Sequence, residues 1–384
     1  MASYKRHILL MSSWYPTRID PFSGNFIQRF GVLLTEKYQV TAVHTIGDSQ
    51  VQKIEIDEQN IEGVRTLIAY HPVSKNKVLH WLYQRIALRK LYMRLEHVDL
   101  VFAHVFLNRG FQFAKAQRYF NCPLIVLEHA SYFRSDKRKH FSTIQKSIIR
   151  KASRNAQHIL AVSERLKADM RSFFPTTNIQ VIPEFVKLDK FHLKDSLSPK
   201  CNSFLHISTL DPNTKNPSYL FEGFRSAVKA DIERKGESDL HLKIVSDKNT
   251  TMWQNWVSAN KLDKYFSFEG PATWDEIAQY VQTCDALILT SSYETFSIVL
   301  VEAWLTGTPV ISTVVGVAQN MPDFLGEQIH HDDIPSFMHA IEQMQLGSKL
   351  YDPKQIREYA LQFTDGVVLE KLVSIFEKTF IKDE

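Results

Sequence analysis

The chain has 384 residues, of which 44% are hydrophobic and 23% are charged, a balance that fits a globular protein of about two domains and excludes a disordered chain. Its formal net charge is only +4, and its three cysteines lie far apart without a Cys-x-x-Cys pair, which argues against a structural zinc site and for a reducing compartment. No stretch approaches the roughly 20 apolar residues of a membrane span, and the N-terminus does not resemble a signal peptide, so the sequence predicts a soluble, cytoplasmic protein.

The first half of the chain alternates short apolar runs with helical patterns, as expected of parallel strands joined by helices. The run 8–11 predicts a strand that leads into a loop containing Gly24, and a helix is predicted from Asn25 to Leu34. A glycine at this position either simply begins the helix or allows a ligand or another domain to approach the backbone closely.

Two stretches of the first half are strongly basic. A helix is predicted over 75–95, with six basic residues and no acid up to Arg94, and it is either a layer helix packed on the sheet or a helix that lies on a membrane surface. The stretch 134–154 has eight basic residues and one acid. It is either a solvated helix face or a contact for a phosphate-bearing acceptor or an anionic lipid, whereas nucleic acid is disfavoured because no binding motif accompanies it.

The apolar run 123–127 predicts a strand that ends in Glu128-His129. Polar side chains at the carboxyl end of a parallel strand lie where ligands bind in this class of sheet. His129 is therefore either a hydrogen-bonded structural residue or part of a functional site.

The second half begins with another predicted strand, 203–207, which is followed by a polar loop and a helix from about Pro217. Lys215 lies on that loop at the start of the helix, a position suited to binding a diphosphate. A later predicted strand, 266–269, ends at Gly270. The polar cluster 330–333 is interpreted as a solvated loop, and no metal site is predicted.

The stretch 285–313 has the pattern strand, loop, helix, strand, which indicates one βαβ unit. Backbone amides at the start of its helix attract anions and phosphates. Two carboxylates interrupt the unit, Glu294 at the mouth of the loop and Glu302 inside an otherwise apolar helix. Either Glu294 caps the helix and Glu302 meets a nearby lysine or amide, or both accept hydrogen bonds from the hydroxyls of a sugar nucleotide. The amides expected at the helix start are those of Phe296, Ser297 and Ile298.

The spacing Glu294-x7-Glu302, followed by Ala303, Gly307 and Pro309-Val310, resembles the donor-site motif of the retaining GT-B glycosyltransferases of family 4. In that family the first glutamate contacts the donor sugar and the second contacts the ribose. The resemblance covers nearly the whole chain and implies His129 and Glu294 as catalytic residues. The donor-binding residues that it implies are Gly24, Lys215, Gly270, Thr295, Phe296, Ser297, Ile298 and Glu302.

The resemblance also implies the GT-B fold, in which two Rossmann-like parallel-sheet domains face each other across a cleft. The expected organisation is an acceptor-side domain over 1–186, a donor-binding domain over 187–363, and a C-terminal helix over 364–384 that packs back on the first domain. His129 and Glu294 are then expected to line the same cleft.

The implied activity is the metal-independent transfer of a hexose, with retention, from a nucleotide-diphosphate sugar to a hydroxyl of a saccharide or lipid-linked acceptor, in cell-surface polysaccharide or glycolipid assembly. The donor is a co-substrate, and no cofactor or nucleic acid is expected. Peripheral contact with an anionic membrane, at its inner face, remains open. Thr209 stands where the family often has an arginine before Leu210, so the alternative is a non-catalytic sugar-nucleotide-binding protein or partner subunit. A dehydrogenase is disfavoured because no Gly-x-Gly-x-x-Gly occurs.

Overall fold

The computed structural model describes residues 5–107, 109–174, 178–195, 201–347 and 349–381, apart from the side chain of Arg138. The chain divides into two compact units, each with its own sheet. The first, called the first domain below, comprises the residues up to Ile182 together with those from Leu369 onward. The second domain comprises Pro183–Val368.

Strands and helices alternate in both domains. The strands are β1 His7–Ser12, β2 Gln39–Asp48, β3 Glu55–Ile61, β4 Val64–Pro72, β5 Leu100–His104, β6 Leu124–Glu128, β7 His158–Ala161, β8 Ile179–Val181, β9 Ser203–Ile207, β10 His241–Val245, β11 Phe266–Glu269, β12 Ala286–Leu289, β13 Val310–Thr313 and β14 Gly326–Ile329. The helices are α1 Asn25–Leu34, α2 Lys77–Tyr92, α3 Gly110–Phe120, α4 Ser135–Arg138, α5 Thr143–Asn155, α6 Glu164–Arg171, α7 Pro217–Lys235, α8 Thr251–Ala259, α9 Trp274–Thr283, α10 Ile298–Leu305, α11 Ile334–Leu346, α12 Pro353–Ala360 and α13 Asp365–Ile381.

The sheet of the first domain has the order β3-β4-β2-β1-β5-β6-β7-β8 in the described residues. Its strands are parallel except β3, which pairs with β4 in antiparallel fashion. The sequence analysis missed β3 and expected only parallel strands here. The hairpin turn at Glu62-Gly63 explains the omission: both residues have positive φ, 48° and 88°, although a glutamate is an uncommon residue for such a turn.

The sheet of the second domain is parallel throughout the described residues, with the order β11-β10-β9-β12-β13-β14. Helix α7 packs on it through aromatic side chains. Phe221 and Phe224 are fully buried, and the Phe221 ring stacks on Trp253 with a centroid separation of 4.3 Å. These strands are short and apolar because both faces of a parallel sheet are covered.

Each sheet reverses its strand order once, and this point fixes where ligands can bind. In the second domain the chain runs from β9 to β10 and β11, then returns to place β12 on the other side of β9. In the first domain, β5 returns in the same way to the free side of β1. Loops that leave the carboxyl ends of the two strands at such a switch point diverge and leave a crevice between them.

The last helix, α13, ends against the first domain. The Tyr38 hydroxyl donates a hydrogen bond to Glu377 Oε1 at 2.9 Å, and the guanidinium of Arg6 lies 4.1 Å from the centre of the Phe380 ring. The Phe376 ring contacts Phe102 of β5 edge to face. These contacts attach the end of the chain to the sheet of the first domain.

Candidate functional site

The loop that follows β9 carries Lys215 and is held in shape by polar contacts at its start. The neutral ring of His206 lies between Ile288 O, at 2.9 Å from Nδ1, and Ser208 Oγ, at 2.7 Å from Nε2. Because a carbonyl only accepts, Nδ1 carries the proton and Nε2 accepts from the serine. Burial lowers the pKa of His206 to about 4, so this arrangement holds at neutral pH. Leu210, at φ 52°, then turns the chain, and its amide donates to Ser208 Oγ.

The end of the same loop is closed by Asp211. Its carbonyl accepts from the Lys215 amide at 2.7 Å, and its carboxylate accepts from Thr214 Oγ1 at 2.6 Å. Asn216 takes a left-handed conformation, φ 49°, immediately before α7. Lys215 is therefore fixed at the start of a long helix, as the sequence predicts.

The loop that follows β12 is joined directly to the Lys215 loop. The Ser292 amide donates to Thr214 O at 2.8 Å, and Thr290 Oγ1 donates to Lys215 O at 3.1 Å. Since β9 and β12 are neighbours in the sheet, these bonds connect the two loops at the switch point of the second domain.

Lys215 and Glu294 form an ion pair at this point. Lys215 Nζ lies 2.6 Å from Glu294 Oε1, and Ser291 Oγ donates to the same oxygen at 2.7 Å. The two side chains are 24% and 13% exposed, so both charges remain within reach of solvent and of a ligand. Glu294 does not cap the following helix, which excludes that alternative, because the capping position is occupied by Ser297.

Helix α10 begins at Ile298, later than the sequence analysis expected. Ser297 is its N-cap and has a left-handed conformation, φ 86°, without a side-chain capping bond. Thr295 and Phe296 therefore belong to the loop, and the first-turn amides are those of Ile298, Val299 and Leu300. The Leu300 amide makes a bond of 3.3 Å to Ser297 O.

A glycine that the sequence analysis did not consider holds this loop in place. The Val317 amide donates to Phe296 O at 2.8 Å, and a Cβ at Gly316 would clash with the same carbonyl oxygen. Gly316 also has a positive φ of 51°. No short-range pattern marks Gly316, because the contact joins two separate segments, the loop after β12 and the loop after β13.

Two other predicted donor residues lie on segments other than the loops of the ion pair. Glu302 is 3% exposed inside α10, and α10 is followed by Gly307, which has a positive φ of 77°. Gly270 follows the edge strand β11, which β10 separates from β9. A Cβ at Gly270 would have no neighbour within 4 Å, so the surface there is open.

In the first domain, Gly24 is packed against its own loop. It has a φ of 73° at the start of α1, and a Cβ there would lie 2.7 Å from the carbonyl carbon and oxygen of Trp14. Any other residue would push this loop out of position. Ser13 ties the loop to the segment after β5, because its hydroxyl lies 2.9 Å from Val105 O and 2.6 Å from Leu107 O.

His129 lies in a group of rings beside this loop. Its Nε2 is 2.8 Å from His104 Nδ1, the two imidazoles stack at 5.0 Å, and the Phe26 ring lies at 4.9 Å on the other side. Burial, and then the neighbouring His129, hold the pKa of His104 well below its usual range, so the His104 ring is neutral. The sequence analysis missed His104; its position at the end of β5, adjacent to β6, is the signal that pairs it with His129.

Glu128 has a structural role. It is completely buried, and its carboxylate accepts from the backbone amides of Phe106, His129 and Ala130 at 2.8 to 3.0 Å. Burial raises the pKa of this carboxyl although three amides favour its charged form. The carboxylate thus fixes the backbone on which His129 is carried.

Known proteins resemble both domains. The family described as "Glycosyltransferase Family 4" matches residues 25–190, and "Glycosyl transferases group 1" matches residues 201–345. A UDP-Gal:alpha-D-GlcNAc-diphosphoundecaprenol alpha-1,3-galactosyltransferase of Escherichia coli is 28% identical over 276 residues, which cover 67% of this chain and 68% of that protein.

Solved structures share the fold at low sequence identity. Sucrose-phosphate synthase from Thermosynechococcus elongatus superposes with a TM-score of 0.74 at 16% identity, covering 98% of this chain and 100% of the other. A lipopolysaccharide outer core galactosyltransferase in its apo form gives a TM-score of 0.69 at 17% identity, covering 97% and 99%. With the two sheets, their switch points and the two family matches on adjacent halves, the chain belongs to the GT-B glycosyltransferases, as a family 4 domain followed by a group 1 domain.

Proposed function

We propose that this protein transfers a sugar, with retention, from a nucleoside-diphosphate sugar to a hydroxyl of a saccharide or lipid-linked acceptor. The observation that carries the proposal is the Lys215–Glu294 pair at the switch point of the second domain. It places one cation and one carboxylate, both partly exposed, where a parallel sheet binds ligands. Cell-surface polysaccharide or glycolipid assembly is the setting in which such a transfer fits.

Lys215 supplies the positive charge for the donor diphosphate. Its ammonium lies at the start of α7. The first-turn amides of α10 follow Glu294 closely in the sequence. When the bond to the sugar breaks, negative charge grows on the diphosphate, and fixed donors stabilise it more strongly than they stabilise the intact donor. The backbone amides of Thr295 and Phe296, in the loop before α10, are further hydrogen-bond donors to the diphosphate.

Glu294 changes partner when the donor binds. Without ligand, its carboxylate and the Lys215 ammonium satisfy each other. A diphosphate draws Lys215 away, and the hydroxyls of the donor sugar then replace the ammonium as donors to Glu294. The exchange leaves neither charge without a partner, because the diphosphate replaces Glu294 beside Lys215 and the sugar hydroxyls replace Lys215 beside Glu294.

The remaining roles follow the resemblance to family 4. Glu302 binds the ribose, Gly270 lies beside the base, and Gly24 belongs to the loop that faces the diphosphate. His129 contacts the donor sugar. Its ring is fixed by His104 and Phe26, which is the preorganisation that a contact made in the transition state requires.

The proposed reaction uses no metal and no cofactor beyond the donor. Lys215 and the backbone amides take the part that a divalent cation plays in other sugar transfers. Turnover should therefore persist when a chelator is added. A complete loss of turnover with chelator, restored by Mg²⁺ or Mn²⁺, would remove this part of the proposal.

The competing function is that of a non-catalytic binding protein or partner subunit. Thr209 favours it, because the arginine often found there in family 4 is missing and with it one phosphate contact. A binding protein and an enzyme both bind the nucleotide, so only turnover separates them.

The test begins with a thermal-shift screen of UDP, GDP and ADP and their sugars, since a ligand of the native state raises the apparent stability. UDP-galactose and a diphosphate-lipid-linked N-acetylglucosamine come first, because the Escherichia coli relative is named for them. The anomeric configuration of the product is then read by NMR. Product with retained configuration supports the proposal, and nucleotide binding without product supports the binding protein.

A further inference from the structure

Helix α2 of the first domain exposes apolar side chains along half of its length. Its buried residues lie in the second half, from Ala87 to Tyr92. In the first half, Val78 is 74% exposed and Trp81 is 46% exposed. Val78, Leu82 and Ile86 are all exposed and follow one another at four-residue intervals, so they form one stripe along the helix. A layer helix that only covered the sheet would not carry such a stripe.

A basic groove lies beside this stripe, between α2 and α3. Its volume is about 550 Å³. Its lining includes basic and aromatic side chains, those of Trp81, Arg85, Arg89, Lys115, Arg118 and Tyr119. Among the described residues that line it, none is an aspartate or a glutamate.

The positive charge of the groove is not compensated locally. None of its four cations makes an ion pair within the described part of the chain. Lys115 lies over the Phe111 ring at 4.6 Å and near Trp81 at 5.8 Å, and Arg85 lies 5.3 Å from the Trp81 ring centre. Burial, followed by the charges of Arg85 and Arg118, lowers the pKa of Lys115. An anion in the groove would relieve this repulsion.

We propose that the α2–α3 groove binds the phosphate headgroup of an anionic phospholipid, while the Val78–Leu82–Ile86 stripe and Trp81 insert into the surface of the bilayer. The groove supplies the charge complementarity and the stripe supplies apolar area directly next to it, which is the combination that holds an interfacial helix on a membrane. A nucleic acid or an acidic peptide would use the cations and leave the stripe in water. Lipid binding at this groove requires neither the sugar donor nor the acceptor, so it is separate from the transfer reaction.

One end of the groove lies near the edge of the sheet that carries His129. The first halves of α2 and α3 follow the carboxyl ends of β4 and β5. Because these strands are parallel to β6, this is the edge of the sheet at which His129 lies. The groove begins near this edge, at Trp81 and Phe111, and extends along both helices to Arg89 and Arg118. Within the described ranges, no helix has the length and apolar character needed to cross a membrane.

The test is sedimentation of the whole protein with vesicles of phosphatidylcholine alone or with added phosphatidylglycerol. The wild type should bind only the anionic vesicles and should leave them as salt rises. The Lys115→Gln/Arg118→Gln variant should lose at least about tenfold in affinity, since about 1 kcal/mol is expected for each basic residue near the surface. The matched control, Lys146→Gln/Arg154→Gln, removes the same charge from α5, whose side chains do not line the groove.

The outcomes are distinct. Equal losses of affinity in the two variants would mean that only net charge matters. A loss in the control alone would place the membrane contact on α5. Either result, or no binding by the wild type, overturns the proposal. Insertion is read separately with brominated acyl chains, which should quench tryptophan fluorescence in the wild type and much less in Trp81→Phe. Equal quenching in both would remove the apolar half of the site. Inhibition of sugar transfer by soluble glycerol phosphate, in a protein that binds no vesicles, would point to a free phosphate ligand. This result would also overturn the proposal.

Discussion

The two switch points have the same topology but carry different side chains. In the second domain, the loops after β9 and β12 meet at a charged pair, Lys215 with Glu294, which is partly open to solvent. In the first domain, Ser13 of the loop after β1 is bonded to carbonyls of the segment after β5, and the rings of His104 and His129 stack beside it. The carboxylate of Glu128, at the end of β6, is fully occupied by backbone amides.

We propose on this basis that the two edges bind different ligands. A partly exposed ammonium suits a diphosphate, which carries most of the charge of a nucleotide sugar. Imidazole and aromatic rings suit the uncharged faces and hydroxyls of sugars. The fold alone therefore places two sites, and the residues on the loops decide what each site binds.

The largest expected effect is that of Glu294→Gln, which tests the charged side of the comparison. Turnover should fall roughly 100- to 1,000-fold, because a carboxylate contact to the reacting sugar is lost. The affinity for the nucleoside diphosphate should stay the same or rise, because Lys215 is released from its ion pair. Initial rates and calorimetry measure the two effects. The control is Glu327→Gln, which alters another Lys–Glu pair, with Lys349, on β14. Full activity in Glu294→Gln would remove its catalytic role.

His129→Ala tests the neutral side. Turnover should fall about 10- to 100-fold, the effect of one lost hydrogen bond of about 1.5–3 kcal/mol in the transition state. Affinity for the free nucleotide should remain unchanged, since the proposed nucleotide site lies in the second domain. His97→Ala, which alters an exposed imidazole bonded to Asp99, is the control. Turnover at the wild-type rate would leave the fold as it is and assign His129 a structural role.

Glu302→Gln is expected to act on binding more than on turnover. The side chain keeps its volume in the buried helix but loses the charge that favours the ribose hydroxyls. Nucleoside and nucleoside diphosphate should weaken by the same factor, about tenfold. Calorimetry with both ligands tests this, and a loss confined to the diphosphate would place Glu302 at the phosphates instead.

The smallest expected effect is on stability in acid. The pKa of His206 is about 4 in the folded chain, against an ordinary value of 6.5. Below pH 6.5 the unfolded chain binds a proton that the folded chain excludes, so stability is lost as the pH falls from 6.5 towards 4. In the first domain, burial lowers the pKa of His44 to about 3 and that of His104 well below its usual range, and it also lowers the pKa of His7 and of His71, so acid acts there at several buried rings.

The corresponding measurement is urea unfolding at about pH 7 and about pH 5. His206→Gln should reduce the loss between these values by about 2 kcal/mol, since the group contributes about 1.4 kcal/mol per pH unit between pH 6.5 and pH 5. An unchanged pH dependence would mean that His206 is not held neutral by the fold.

The sequence predicts the elements better than it predicts their partners. The predicted strand 203–207 and the helix that starts at Pro217 agree with β9 and α7, because local periodicity and glycine or proline boundaries specify them. The GT-B class follows from the resemblance and is confirmed by the two sheets and the family matches.

Contacts between segments that lie far apart in the sequence could not be predicted from it. Lys215 and Glu294, 79 positions apart, are each named from their own motif, but their ion pair exists because β12 returns to the side of β9. His104 and Gly316 were missed for the same reason: each acts on a segment from another βα connection, and no short-range pattern records such a contact.

The central claim is that Lys215 binds the donor diphosphate, and the most direct test is calorimetry of Lys215→Ala. The nucleoside diphosphate with the largest thermal shift is compared with its own nucleoside. The expected result is a loss of about 10- to 100-fold for the diphosphate, because one charge-assisted hydrogen bond is removed, and no change for the nucleoside. Lys349→Ala, which breaks the pair with Glu327 at 3.2 Å, should change neither affinity. Equal losses for the two ligands in Lys215→Ala would contradict the claim.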